Sequence, residues 1–178
     1  GKVIADIALK MNNWQSIVFL DDDESIKTCA DLPVIGKTDD AIKYKDEADF
    51  FVAIGNNTTR VRVQTKLEYE GASIATLIHP NAVIGHKVSV GIGTVIMAGT
   101  VINSASVIGK GCIINTNSSV DHDCILEDFV HVSPGASIAG TVKIGKSSWV
   151  GIGGVISNNI SICGGCMLGA GAVVIRDI

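Results

Sequence analysis

Aliphatic residues return at a fixed interval across the second half of the chain. Ile78, Ile84, Val90, Ile96, Ile102 and Ile108 open a series in which every sixth position is Ile, Val or Leu. It continues without a gap through Ile114, Val120, Leu126, Val132, Ile138, Ile144, Val150, Ile156, Ile162 and Leu168 to Val174. Four residues after each hit lies a second, mostly small series that includes Ala82, Thr94, Thr100, Ser106, Cys112, Ser118, Cys124, Ala136, Ser148, Cys166 and Ala172. A period of six is a multiple of the strand period of two and misses the helix period of 3.6. Both series therefore face one side of short strands, and the Gly, Asn, Lys and Ser residues between them make the turns. Gly often follows the aliphatic position, as at Gly85, Gly91, Gly109, Gly145, Gly151 and Gly169.

A hexapeptide repeat predicts a parallel β-helix in which three hexads close one triangular coil, so that residues 18 apart stack. Stacked coils lie roughly 4.8 Å apart, which makes about five coils a prism roughly 25 Å long.

The preceding stretch has no such period. Residues 2–12 predict an amphipathic helix, and Ser16 to Leu20 a strand that runs into Asp21-Asp22-Asp23. Pro33 to Gly36 reads as a turn or short strand, followed by a helix capped by Thr38 with Asp39 and Asp40 in its first turn. Asp49 to Ile54 predicts a buried strand ending at Gly55-Asn56-Asn57; Thr58 to Glu70 a helix carrying Arg60, Arg62 and Lys66 and stopped by Gly71; and Ser73 to Ile78 a last strand. Such alternation implies a small parallel α/β sheet, in which ligands bind beyond the carboxyl ends of the strands. Asp21-Asp22 and Gly55-Asn56 lie at those ends, although Asp, Asn and Gly are also ordinary turn residues. The expected division is an α/β ligand-binding domain over 1–77 and a β-helix over 78–178. A Rossmann-type sheet would place a strand and a Gly-rich turn before the helix that Gly1 begins, and the repeat is still in register at Ile178. Further residues are therefore expected at both ends.

Composition narrows the partners. The net charge is −4 and the pI about 5.5, with no basic run, which argues against nucleic acid and anionic membrane surfaces. No apolar run is long enough for a bilayer and no targeting segment opens the chain, so a cytoplasmic location is expected. Three of the 5 cysteines, Cys112, Cys124 and Cys166, belong to the small inner series and read as core filler in a reducing compartment. Cys163-Gly-Gly-Cys166 matches C-x-x-C by letter. It lies in a repeat and not a βαβ unit, which argues against a redox role.

Among the 4 histidines, His86 and His122 share the third hexad position, two coils apart on one corner, with Ser104 between them and Gly140 one coil beyond. His122 lies between Asp121 and Asp123, and a neighbouring carboxylate favours the charged imidazole and raises its basicity, as a general base requires. A solvated corner histidine with two surface acids is the plainer alternative. The His pair two coils apart resembles the trimeric zinc sites of γ-class carbonic anhydrases, which add a third His five residues from one of the pair; Asn117 and Glu127 stand at those distances from His122, so no metal is expected. His131 sits in an outward column with Ile113, Trp149 and Met167, apolar enough to be covered by a ligand or another subunit.

The run from Asn115 to Ala136 (Asn-Thr-Asn-Ser-Ser-Val-Asp-His-Asp-Cys-Ile-Leu-Glu-Asp-Phe-Val-His-Val-Ser-Pro-Gly-Ala) resembles one subgroup of the hexapeptide-repeat acyltransferases. These are the bacterial UDP-4-amino-sugar N-acetyltransferases of bacillosamine type and the sialic acid O-acetyltransferases. Phe-Leu-Asp21-Asp22, Ala-Ile-Gly55-Asn56-Asn57 and Leu-Ile-His79-Pro80 match the same family in order and spacing.

The resemblance implies a mainly β fold, a left-handed parallel β-helix after a small Rossmann-like α/β domain, where the common crossover rule alone would have given a right-handed coil. It further implies a homotrimer, acetyl-CoA as co-substrate and a UDP-linked amino sugar as acceptor. By the same resemblance His122 is the general base, Asp123 the acid that raises its pKa, and Asn115 a residue near the reacting centre. Gly140 supplies an oxyanion N–H, and His131, Ile152 and Ala170 contact acetyl-CoA. Asp21, Asp22, Gly55 and Asn56 are the nucleotide-sugar contacts. Two departures stand out: the family's Gly-x-Ser-Gly-His-Gly loop is missing apart from Gly1, and so is its C-terminal segment. Asp in place of the more usual Glu at 123 shortens the reach to His122. Sialic acid O-acetylation, a trimeric carbonic-anhydrase-like metalloenzyme and a non-catalytic scaffold remain as alternatives.

Overall fold

A computed structural model describes residues 1–178. From Leu77–Ile78 to Val173–Val174 a two-residue strand recurs every six residues, and these strands stack into three parallel ladders. The first face holds strands 77–78, 95–96, 113–114, 131–132, 149–150 and 167–168; the second holds 83–84, 101–102, 119–120, 137–138, 155–156 and 173–174. The third holds 89–90, 107–108, 125–126, 143–144 and 161–162. Every register pair is offset by 18, as in Ile113↔His131 and Val120↔Ile138. The chain is a left-handed parallel β-helix preceded by a small α/β portion.

The predicted aliphatic column is the core. Ile96, Ile102, Ile114, Val120, Leu126 and Val132 are fully buried, and Cys112, Cys124 and Ala136 fill the corners beside them. Each such aliphatic side chain contributes about 1.5–3 kcal/mol of transfer free energy, repeated coil after coil.

The turns contain a second period that the hydrophobic pattern does not reveal. Every sixth residue from Lys87 to Gly171 has a positive φ, between 54° and 73°. Gly93, Gly99 and Gly111 occupy some of these positions, but Ala105, Asp123 and Phe129 occupy others, at a cost of about 1–2 kcal/mol each for a side chain held there. The glycines that follow the aliphatic series serve a different need. A Cβ at Gly109 would lie 2.6 Å from the Asp128 backbone nitrogen one coil on, so close approach of coils excludes a side chain.

Before the prism, helix α1 (Lys2–Met11) forms as expected and ends on Asn12 in the left-handed region. It lays Ile7 and Ala8 on Leu77, Val95, Met97 and Ile113 of the first face. One end of the apolar outward column is thus covered by the chain itself, while its far end, Met167, is 77% exposed. The single parallel sheet expected over 16–78 is instead two small sheets. Strand 19–20 pairs with Leu32–Gly36 in parallel and Thr28–Cys29 pairs with it antiparallel; Asp49–Phe50 pairs with Ser73–Ile74. The strand expected from Ser73 to Ile78 divides because Leu77–Ile78 leaves to pair with 95–96. The helix after Gly36 is a 3-10 helix, Thr38–Tyr44, and its N-cap is Lys37, not Thr38.

Helix α2 (Asn57–Tyr69) docks on the edge where the third face meets the first, and polar groups hold it there. Arg60, Gln64 and Leu67 form its buried side. Arg60 is fully buried and donates to the carbonyls of Gly111 (2.8 Å), Phe129 (3.1 Å), Ile54 (3.1 Å) and Gly55 (2.9 Å) and to Asn57 Oδ1 (2.8 Å). Asn57 Nδ2 donates to the Ser147 carbonyl, and Lys110 pairs with Glu68 at 2.8 Å.

Candidate active site

Two clusters arise, one on the edge where the second face meets the third and one across the first face, reaching the second face's other edge at Asn115. At the edge shared with the third face, successive corners are locked by backbone bonds from Ala105 N to His86 O, Asp123 N to Ser104 O and Thr141 N to His122 O, 2.9–3.0 Å long. The column His86, Ser104, His122, Gly140 therefore stacks as the spacing requires. Asp123 occupies the left-handed position of its corner (φ 57°), and its Oδ2 lies 2.8 Å from His122 Nδ1. The shorter Asp side chain does reach the imidazole. A carboxylate can only accept, so Nδ1 carries a proton and Nε2 is the free base of the neutral ring. The hydrogen bond that His122 donates to Asp123 raises the His122 pKa above its ordinary value, and the charge of Asp121 adds to the shift.

Asp121 was not assigned a role from the sequence beyond its charge. Its Oδ1 accepts from the His122 backbone N–H (2.8 Å) and from Asn103 Nδ2 one coil below (2.8 Å), so the acid beside the imidazole is itself held in place.

Gly140 leaves room for the imidazole beside it. A Cβ there would lie 2.7 Å from His122 Nε2, so the ring nitrogen hangs directly over this residue. The Gly140 carbonyl accepts from Asn159 N (3.1 Å), while its N–H has no acceptor within the chain. A backbone donor next to a basic nitrogen is what a developing oxyanion requires.

The other cluster lies across the first face. A cavity of about 380 Å³ opens between the start of α1 (Gly1 to Ile4), the stretch 51–55 and the wall formed by Val95, Met97, Ile113, Asn115 and His131. His131 is 7% exposed and stacks on Trp149 with centroids 4.4 Å apart. Its Nε2 lies 3.5 Å from Asn115 Nδ2, and its Nδ1 is buried without a partner. Burial, and then the charge of Arg60, push its pKa down to about 4, so this imidazole is neutral. Trp149 Nε1 donates to Ser133 Oγ at 2.7 Å.

The structure thus brings Asn115, His131 and Gly55 to one cavity and sets His122, Asp123 and Gly140 on the opposite edge of the second face. Ile152 (62% exposed) and Ala170 (exposed) follow along the Asn115 edge towards the end of the prism. Asp22 Oδ1 accepts from Thr38 N (2.9 Å), a bond that holds its carboxyl below the usual range. Asn56 caps α2 through Thr59 N, and Asp21 closes a turn with Asp23 N. Asp22, Asn56 and Asp21 have local structural work here, as turn chemistry predicts. Gly55 stands apart, because a Cβ on it would meet nothing within 4 Å. Among these side chains, no three His, Cys, Asp or Glu approach closely enough to hold a metal ion. No helix is long and apolar enough to cross a membrane.

Arg60 escaped the sequence reading as a buried group. The available signal was its i, i+4, i+7 relation to Gln64 and Leu67, which marks one helix face.

Comparison with known proteins agrees with this architecture. The profile of the PglD N-terminal domain matches residues 1–67. The GDP-perosamine N-acetyltransferase of Escherichia coli O157:H7 is 32% identical over 111 residues, covering 62% of this chain and 50% of that protein; the match spans about half that relative's length. The acetyltransferase domain of PglB from Neisseria gonorrhoeae FA1090 superposes with a TM-score of 0.95 at 37% identity, over 99% of this chain and 87% of that one. It has also been solved in complex with acetyl coenzyme A. A histidine-to-asparagine variant of perosamine N-acetyltransferase from Caulobacter crescentus, in complex with CoA and GDP-perosamine, superposes with a TM-score of 0.94 at 32% identity, over 99% of this chain and 84% of that one. With its unbroken hexads, its acid-flanked corner histidine and relatives matched along nearly its whole length, this chain belongs to the hexapeptide-repeat sugar N-acetyltransferase family.

Proposed function

We propose that the protein transfers the acetyl group of acetyl-CoA to the amino group of a nucleotide-linked 4-amino sugar, in bacterial glycan synthesis, and works as a homotrimer. The observation that carries this reading is the geometry around His122: Nδ1 bonded to Asp123, Nε2 over Gly140, and an unpaired Gly140 N–H beside it. His122 Nε2 takes the proton of the attacking amine, and the Gly140 N–H stabilises the oxyanion formed from the thioester carbonyl. Collapse of that intermediate expels CoA as the thiolate.

The trimer is supported by the separation of the two clusters. Residues 116–121 run from one edge of the second face to the other, which sets Asn115 and His122 on the order of 15–20 Å apart at about 3.3 Å per residue. Within one chain the two clusters lie on separate edges, and a neighbouring copy can bring them together. The second face between them exposes Val83 (60%), Val155 (45%) and Val173 (69%), apolar surface suited to a symmetric neighbour. Across such a contact, His122 of one subunit meets the cavity of the next, and acetyl-CoA lies along the edge that carries Ile152 and Ala170.

The α/β portion, residues 1–77, then holds the nucleotide, and Gly55 lets the ligand approach the backbone. The nucleotide is taken as UDP. Asp21 and Asp22, suited to hydrogen bonds with a base or ribose, favour a nucleotide-linked acceptor over a free sugar, and the GDP-linked substrate of the perosamine relatives makes GDP the direct comparison. Thiol release from acetyl-CoA with UDP- and GDP-linked 4-amino sugars, and with CMP-sialic acid, tests the proposal. Turnover with a 4-amino sugar that His122→Ala removes is the expected result. Turnover confined to the sialic acid acceptor, or a fully active His122→Ala, would overturn it.

A further inference from the structure

The corner Cys163-Gly164-Gly165-Cys166 closes the edge where the third face meets the first. Corresponding corners in earlier coils carry one cysteine or none, as in Gly109 to Cys112 and Gly145 to Ser148. Only here do the first and fourth residues both bear sulfur, and the two Sγ atoms are 2.8 Å apart. Cys163 is exposed and Cys166 half-buried.

The backbone beneath them is fixed from three directions. The Ser148 hydroxyl donates to the Cys163 carbonyl (2.9 Å) and accepts from the Cys166 N–H (3.1 Å), so one side chain ties both ends of the corner. Gly165 takes the left-handed position (φ 73°), and its N–H donates to the Lys146 carbonyl at 2.8 Å. A Cβ on Gly145 would run into the backbone of Gly164, which shows how closely this corner is seated on the coil below. A disulfide needs its two Cβ atoms brought to about 3.8 Å without backbone movement, and this corner already holds its sulfurs in contact.

We propose that Cys163 and Cys166 form a reversible disulfide, a thiol modification site separate from the acyl-transfer centre. The edge that carries the pair lies opposite the second face, so a trimer built through that face does not cover Cys163. The co-reactant is a small-molecule disulfide such as oxidised glutathione. The Cys163 thiolate attacks one glutathione sulfur, forming a mixed disulfide and releasing one glutathione. Cys166 then loses its proton to solvent and attacks the Cys163 sulfur, releasing the second glutathione. Two electrons pass from the protein thiols to the glutathione disulfide, and the atoms balance. The hydrogen bond between the thiols raises the Cys166 pKa, in keeping with Cys163 as the entry point and Cys166 as the resolving thiol. Cys112 and Cys124 are buried and stay outside the exchange.

The experiment incubates the full-length protein with oxidised glutathione, blocks remaining thiols with a maleimide and maps peptides by mass spectrometry, with and without subsequent dithiothreitol. The expected product is a Cys163–Cys166 disulfide peptide about 2 Da lighter than the dithiol form, restored by dithiothreitol. Cys166→Ser should instead accumulate a glutathione adduct on Cys163. A wild-type protein that keeps both thiols free, or keeps a stable glutathione adduct on Cys163, would overturn the proposal. Since acetyl transfer is not the readout, failure here leaves the catalytic reading untouched.

Discussion

If His122 of one subunit serves the cavity of the next, two inactive variants should repair one another. His122→Ala removes the base and leaves the cavity intact; Asn115→Trp plugs the cavity, whose wall includes Asn115, and leaves the base intact. In a pool of randomly mixed trimers each contact joins the His122 edge of one chain to the cavity of its neighbour. A working site requires the base from an Asn115→Trp chain and the cavity from a His122→Ala chain. Each condition holds with a chance of one half, so about one quarter of sites work, and activity should return to about 25% of wild type per chain. The assay is thiol release on trimers co-expressed with two affinity tags and purified through both, corrected for the excluded homotrimers; each variant alone gives the baseline. A site contained within one chain predicts no recovery, because every chain lacks one half. Background activity in a pool of verified mixed trimers would therefore refute the shared site.

Other outcomes follow from single side chains. Gly140→Ala places a methyl 2.7 Å from His122 Nε2 and should lower kcat on the order of 10²-fold by displacing the base, with the thermal unfolding midpoint little changed. Asp123→Asn removes the leading cause of the raised His122 pKa; since the neutral ring is the active form, the acidic limb of the kcat profile should move to lower pH, and the plateau should fall. His131, held neutral with a pKa near 4 against an ordinary 6.5, gives the unfolded chain more bound protons between those values. Stability should therefore decline by up to about 3 kcal/mol as pH falls through that window, and urea titrations of His131→Gln should show a shallower decline. Arg60→Met strips four carbonyls and Asn57 Oδ1 of their donor and should cost at least about 3 kcal/mol in urea unfolding.

The prism could be read directly from the chain because its core is one-dimensional. Ile102, Val120 and Ile138 repeat the same environment, so their spacing states the fold without reference to the rest of the molecule. The His122 corner was legible for a related reason: Asp121, His122 and Asp123 are adjacent in sequence, and the fixed corner brings the last two together. The α/β portion was harder. Strands 19–20 and 49–50 are two residues long, and their partners are chosen by tertiary contacts that no local pattern records. Docking of α2 by Arg60 and Gln64 was hidden because polar residues at a helix face read as solvent-facing. His131 became a buried neutral imidazole only when α1 and the Arg60 charge were folded around it. The need for a left-handed residue at every corner was also masked, since Asp123, Phe129 and Thr141 fill it at some corners where glycine fills it at others.

Because registry repeats every 18 residues, length changes in the second half are not equivalent. Deleting a single hexad between Ile138 and Ile156 would rotate everything after the cut by one side of the triangle, carrying Ile152 or Ala170 away from Asn115. Removing three consecutive hexads would merely shorten the rod by one storey and return each later residue to its own corner. Natural and engineered variants of this chain should accordingly tolerate insertions and losses in units of a whole turn, and fail at thirds of one.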